Sequence, residues 1–250
     1  MRTKLLVGNW KMNKTRAEAL EFAHASVELL KFATSKNIQI GVTPTYLSLD
    51  VVKKANPKLI VGAQNVHYLE SGAYTGEISI PMLKEIGIDW SLVGHSERRS
   101  YYNETNKSCN DKVKALLSHK MTPLYCVGET LAEFEAGATK QIVEAQVREG
   151  LLGVSREDAL KLVVAYEPVW SIGTGKNASK EIAEDVCGFI RGVLRSLFGD
   201  VSEKIQILYG GSVKPNNIKE YMAEPNIDGA LVGGASLAVE SFRQLIENID

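Results

Sequence analysis

The chain is 250 residues long, enough for one large α/β domain or two small ones. Its 29 Lys and Arg nearly cancel its 30 Asp and Glu, leaving a formal net charge of −1. That balance excludes the broad basic surface of a nucleic-acid or membrane-surface binder and leaves room for a local anion site.

The three cysteines, Cys109, Cys126 and Cys187, stand far apart with no CxxC spacing. They suggest neither a disulfide framework nor a zinc site, and no other metal spacing is present. The apolar run at 5–7 is far too short for a signal sequence, and no run approaches a membrane span. The ending Glu247-Asn248-Ile249-Asp250 is no peroxisomal address, so a cytoplasmic location is expected.

No linker or low-complexity tract divides the chain. Short apolar runs begin near Leu5, Ile38, Leu59, Trp90, Thr122, Leu162, Ile205 and Gly229. Their spacing of roughly 20 to 45 residues is the scale of one strand–helix unit. Amphipathic stretches lie between most of them. Thr15 with Glu18 makes a capping box, after which Leu20, Ala23, Val27 and Leu30 fall on one helical face. Thr130 with Glu133 repeats the box, and Phe242, Leu245, Ile246 and Ile249 repeat the stripe after the last strand. Eight such alternations predict one (β/α)8 barrel domain over residues 1–250, with a doubly wound open sheet as the alternative.

A barrel places its chemistry at the C-terminal ends of its strands. The first strand is followed by Asn9 and Lys11, and the fourth by His95, Ser96 and Glu97. Lys11 follows a buried strand closely enough to point into the barrel mouth, where an ammonium complements an anion; a solvated loop lysine is the alternative. A histidine at a helix start, such as His95, is favoured as neutral imidazole. Glu97 is either an orienting partner for Lys11 or an ordinary first-turn carboxylate. Cys126 reads as core.

The sixth run stops at Glu167, and Pro168 prevents the ladder from continuing. Val169, Trp170 and Ile172 are too apolar for an ordinary solvated loop. A base under a lid and a solvated strand-end Glu both remain open on this stretch. Gly210-Gly211-Ser212 and Gly233-Gly234 follow the last two strands, where many barrels bind phosphate through backbone N–H groups. Tight turns are the alternative for either glycine pair taken singly. The segment 173–176 (GTGK) is not a Walker loop, because Trp170 stands where its first glycine belongs and Asn177 replaces Ser or Thr.

Taken together, GNWKMN (8–13), VGHSERR (93–99), AYEPVWSIGTGK (165–176), YGGSV (209–213) and GALVGGASL (229–237) resemble the triosephosphate isomerase family. The resemblance runs the full length of the chain in the family's order. It implies a TIM barrel that interconverts dihydroxyacetone phosphate and D-glyceraldehyde 3-phosphate in glycolysis and gluconeogenesis, without cofactor or metal. By resemblance, Glu167 is the base, neutral His95 the electrophile, and Lys11 with Asn9 the stabiliser of developing charge. Gly173, Ser212, Gly233 and Gly234 are expected to hold the phosphate, and residues 167–178 to form a lid. The family resemblance further implies a homodimer in which the loop 64–80 enters the partner and brings Thr75 near its site. Ser171, Asn177 and Asn103 depart from the residues most common at their positions, Asn103 standing where glycine is frequent. Another phosphosugar isomerase or aldolase, and a barrel kept for binding alone, are the competing readings.

Overall fold

The structure is a computed structural model describing residues 2–172 and 178–249. Eight parallel strands close into a barrel in sequential order. They are β1 (Lys4–Asn9), β2 (Ile38–Thr43), β3 (Ile60–Ala63), β4 (Trp90–Val93), β5 (Thr122–Val127), β6 (Val163–Tyr166), β7 (Gln206–Tyr209) and β8 (Gly229–Val232). The seam between β1 and β8 pairs Leu5 with Gly229 and Gly8 with Val232. The doubly wound alternative is thereby ruled out, since an open sheet would leave two strand edges unpaired.

Each strand is buried on both faces, as a parallel sheet wrapped in helices must be. Period-two alternation sorts its residues. Leu5, Val7, Leu92, Leu124, Cys126, Val163, Ala165, Leu208 and Leu231 fill the barrel interior as one cluster. Their neighbours Leu6, Val93, Tyr125, Val164 and Ile207 face outward into a larger layer beneath the helices.

The outer layer is carried mainly by α1 (Arg16–Ser35), α2 (Tyr46–Ala55), α5 (Asn106–Ser118), α7 (Thr139–Gly150), α8 (Lys180–Phe198) and α10 (Val239–Glu247). Shorter helices α3 (Ile80–Glu85), α4 (Ser96–Tyr101), α6 (Leu131–Glu135) and α9 (Ile218–Met222) fill in the connections. Both expected capping boxes are formed. At α1 the Thr15 side chain accepts from Glu18 N–H, and the Glu18 carboxylate accepts from Thr15 N–H. Thr130 and Glu133 do the same for α6.

One expectation needs correcting. The buried line of α1 runs through Ala19, Phe22, Ala23, Ser26, Leu29 and Ala33, whereas Leu20 and Val27 are exposed at 40% and 36% and Leu30 is half-buried. The buried line combines the large Phe22 and Leu29 with Ala19, Ala23, Ser26 and Ala33, whose small side chains let the helix approach closely. The larger Leu20, Val27 and Leu30 sit to one side of it. The stripe on α10 is as expected: Phe242, Leu245, Ile246 and the following Ile249 are all buried.

At the N-terminal end of the barrel, buried Asp228 ties the seam together. It accepts from Arg191 Nη2 at 2.6 Å, Arg2 Nε at 2.6 Å and Ile207 N–H at 2.9 Å. Arg191 also donates to the carbonyls of Ser202 and Ile205. Among the described residues no helix is long and apolar enough to cross a membrane.

The capping geometry sets a measurable contribution. Thr15→Ala is expected to lower unfolding free energy by about 0.5–2 kcal/mol, read by urea denaturation, with turnover of the folded protein unchanged.

Candidate active site

The inward register of the strands does not stop where the ladder stops. On β1, Leu5 and Val7 point inside, and Asn9 is next in that series. On β6, Val163 and Ala165 are followed by Glu167, and on β8 Leu231 is followed by Gly233. These residues emerge at the C-terminal mouth, around a cavity of about 400 Å³.

The fourth strand reaches the mouth differently. After Leu92 the series would continue to Gly94, which adopts φ 74° and breaks the alternation. His95 is thereby turned into the cavity and caps α4, its Nδ1 accepting from Glu97 N–H at 3.2 Å. A Cβ on Gly94 would lie 2.8 Å from Arg99 Nη2 and 2.9 Å from Cys109 Sγ, so packing as well as φ requires glycine.

Glu167 is 2% exposed. Its Oε1 lies 2.9 Å from His95 Nε2, and its Oε2 accepts from Ser96 N–H at 3.0 Å. Burial alone pushes this carboxyl upward, but His95 and the Ser96 N–H outweigh it and hold Glu167 below the usual carboxylate range. Burial likewise lowers His95, and the Glu167 carboxylate more than offsets that, holding the imidazole above its ordinary value. Hydrogen bonding resolves the proton's place. Nδ1 spends its lone pair on Glu97 N–H, so the one hydrogen placement that satisfies both contacts is a neutral ring with Nε2–H donating to Glu167. A Cβ on Gly210 would sit 2.8 Å from Glu167 Cγ, so Gly210 is also needed to make room for this side chain.

Lys11 has φ 51°, an unusual value for a side-chain-bearing residue. Such a conformation costs on the order of 1–3 kcal/mol and persists where surroundings enforce it. Here Gln64 Nε2 donates at 2.8 Å to the carbonyls of both Lys11 and Thr43, and Lys11 N–H donates to Asn9 Oδ1 at 3.0 Å. The ammonium is aimed by Glu97, with Nζ 2.6 Å from Oε1.

Asn9, Lys11, His95, Glu167, Ser212, Gly233 and Gly234 therefore share one cavity wall, although the chain separates them widely. Glu97 lines an adjoining depression together with Lys11, Tyr46 and Arg98. A Cβ on Gly234 would meet nothing within 4 Å, so no neighbouring atom dictates glycine there. Thr75 is exposed on its loop and does not line this chain's own cavity. Gly173 lies outside the described residues, as do the rest of the GTGK segment and Asn177. Cys126 is buried core, as expected, and burial raises its thiol. Asn103 has φ 54°, which accounts for an asparagine at a position where glycine is frequent.

Three contributors were not legible beforehand. The Ser96 N–H, the Gln64 amide and the packing demand at Gly210 depend on neighbours remote in sequence. Gln64 did stand at a strand end, and that position was the available signal.

A closed barrel whose mouth gathers a buried carboxylate, an imidazole and an ammonium places this chain among the (β/α)8-barrel enzymes. A family model described as "Triosephosphate isomerase" matches residues 4–249. The chain is 49% identical over 250 residues to the triosephosphate isomerase of Carboxydothermus hydrogenoformans, covering 99% of each chain. It is 48% identical over 249 residues to that of Clostridium perfringens, covering 98% of this chain and 99% of the relative. The corresponding enzyme of Clostridium acetobutylicum is 49% identical over 249 residues, with the same coverage. The chain belongs to the triosephosphate isomerase family and is an isomerase.

The lowered Glu167 pKa has a signed consequence for stability. A carboxyl depressed on folding contributes fully above its unfolded value near 4.5, and the contribution is lost as pH falls through the lower folded value. In Glu167→Gln that part of the acid dependence is absent. Thermal melts at stepped pH below 4.5 should show a shallower fall in Tm for the variant than for the parent protein.

Proposed function

We propose that this protein interconverts dihydroxyacetone phosphate and D-glyceraldehyde 3-phosphate by proton transfer through an enediol(ate). The observation that carries this reading is the 2.9 Å pairing of the Glu167 carboxylate with His95 Nε2 at the wall of a cavity that Lys11, Ser212, Gly233 and Gly234 also line. A carboxylate takes a proton from carbon, and the neighbouring Nε2–H polarises and protonates the adjacent carbonyl oxygen. The C–H electron pair becomes the C=C bond, and the carbonyl electrons move onto oxygen. Returning the proton from Glu167 to the neighbouring carbon, while the other hydroxyl gives its proton back to Nε2 and becomes the new carbonyl, completes the exchange.

Substrate binding must separate Glu167 from His95, freeing the carboxylate's lone pair and leaving Nε2–H to face the substrate oxygen. Separation also removes the largest influence raising the His95 pKa, which favours the neutral imidazole when it acts. Lys11, beside Asn9, supplies positive charge to the enediolate, acting most strongly where charge develops. Ser212, Gly233, Gly234 and Gly173 hold the phosphate, and residues 167–178 close over it, keeping water from the intermediate. The chemistry needs no cofactor or metal. Its setting is cytoplasmic glycolysis and gluconeogenesis, consistent with three free, buried cysteines.

We further propose that the working form is a homodimer. Beside the catalytic cavity lies the depression lined by Met12, Tyr46, Gln64, Arg98 and Tyr102. Among its lining residues Met12 is 93% exposed and Tyr102 66%. Solvent-exposed apolar groups gathered at a site mark an interaction surface. The loop 64–80 is preshaped to fill such a depression: His67 stacks on Tyr68 and packs against Tyr74, and His67 N–H donates to Ile78 O at 2.8 Å. Entry of this loop into the partner would bring Thr75 near the partner's Lys11 and Glu97.

A coupled assay tests the chemistry: D-glyceraldehyde 3-phosphate is supplied, and dihydroxyacetone phosphate is detected by NADH-linked reduction. Fast turnover is expected, with Glu167→Gln slower by about 10²–10⁴-fold and inorganic phosphate still binding. Near-parental turnover by Glu167→Gln would remove Glu167 from the role of base. Sedimentation analysis checks assembly, where a dimer mass is expected and a concentration-independent monomer would refute the interface.

A further inference from the structure

We propose that Gln146, on the outer helix α7, is a positioning residue for Glu167. The inference rests on the reading of Glu167 as the base. Gln146 grips both polar groups of one residue: its Oε1 accepts from Gly128 N–H at 2.7 Å, and its Nε2 donates to Gly128 O at 3.0 Å. Only one orientation of the amide satisfies both contacts.

Gly128 is the surface against which the catalytic backbone rests. A Cβ at Gly128 would lie 1.8 Å from Glu167 O and 2.6 Å from its carbonyl carbon, so the two main chains are in direct contact. Hydrogen bonds flank that contact on both sides. Glu167 N–H donates to Val127 O at 2.8 Å, and Val169 N–H donates to Glu129 O at 3.1 Å. Residues 127–129 thus form a template for residues 167–169, and Gln146 fixes the template from the side away from the cavity.

The clamp is itself held in register. Tyr125 O–H donates to Gln146 O at 2.6 Å, while Arg99 Nη2 donates to Tyr125 Oη at 3.3 Å and to Cys126 O at 3.2 Å. Arg99 Nε also donates to Gly94 O at 2.8 Å, immediately before His95. One connected set of polar contacts therefore reaches the backbone beneath both the carboxylate and the imidazole. Gln146 touches neither reacting group nor the cavity lining. Its influence passes through the placement of Glu167, where a displacement of 1 Å can slow turnover by about 10²-fold.

Two variants test the clamp. Gln146→Glu keeps the shape but sets oxygen against Gly128 O, and Gln146→Met keeps the length with neither hydrogen bond. Both are expected to lower kcat by between about 10-fold and 10²-fold, with KM and inhibition by inorganic phosphate essentially unchanged. The limb of the kcat/KM pH profile that reports Glu167 should move as well. In a Glu167→Asp background, where the carboxylate is already displaced, the effect of Gln146→Met should shrink, as for coupled residues. A lowered Tm with parental kcat and pH profile would make Gln146 merely structural and overturn the inference, as would failure of both variants to fold. Glu167→Gln is measured alongside. Near-parental activity there would reject the base itself, whereas an inactive Glu167→Gln with fully active Gln146 variants rejects the clamp alone.

Discussion

Closure of the parallel barrel is the constraint from which the site follows. A closed sheet of this size must fill its own interior, so alternate residues of every strand are committed inward. Apolar side chains such as Leu5, Val7, Val163 and Ala165 satisfy that demand along the strands. The next inward positions lie above the last packed layer and border open space. Asn9 and Glu167 occupy them, which brings residues from different strands to one cavity without any loop having to search for its place. Gly94 supplies the exception, breaking the alternation on the fourth strand so that His95 faces the cavity.

The two ends of the barrel treat buried carboxylates differently. At the N-terminal end, Asp228 is bound by two guanidinium groups and a backbone N–H, and those arginines are tied to further partners. Removing one partner from such a network exposes the cost of an uncompensated buried charge. At the C-terminal end, Glu167 has a neutral imidazole and one backbone N–H. These partners hold the carboxylate below its usual range at the wall of a cavity. Lys11 shows the same division: its backbone is fixed by Gln64 and Asn9, while its ammonium meets Glu97 at the cavity. The charge-bearing tips line the cavity, and the backbone beneath them is held by hydrogen bonds within the protein.

The glycines carry more than one meaning. Gly210 follows a strand where phosphate is commonly bound, yet its missing side chain also leaves room for Glu167 Cγ. Gly234 meets no neighbouring atom, so space beside it is left open to a ligand. A Gly-Gly pair in sequence does not distinguish these cases, because the deciding atom belongs to another strand. The apolar stripe of α1 was misplaced for a similar reason. Periodicity placed Leu20, Ala23, Val27 and Leu30 on one face, but of these only Ala23 is on the buried line, which it shares with Ala19, Phe22, Ser26, Leu29 and Ala33.

The sequence alone determined the number and order of the strand–helix units, the capping boxes of α1 and α6 and the strand ends that bear Asn9, Lys11, His95 and Glu167. These are local properties: hydrophobic period, capping chemistry and the position of a polar residue after an apolar run. The predicted barrel is the fold observed, the closed seam excluding the open-sheet alternative; tertiary structure alone decided that Glu167 pairs with His95 and Ser96, that Gln64 holds Lys11 in a left-handed conformation, and that Gln146 grips Gly128. Each of those outcomes depends on atoms brought together only when β8 meets β1 and the helices pack around the closed sheet. Sequence periodicity records which way a side chain faces; it does not record what stands opposite.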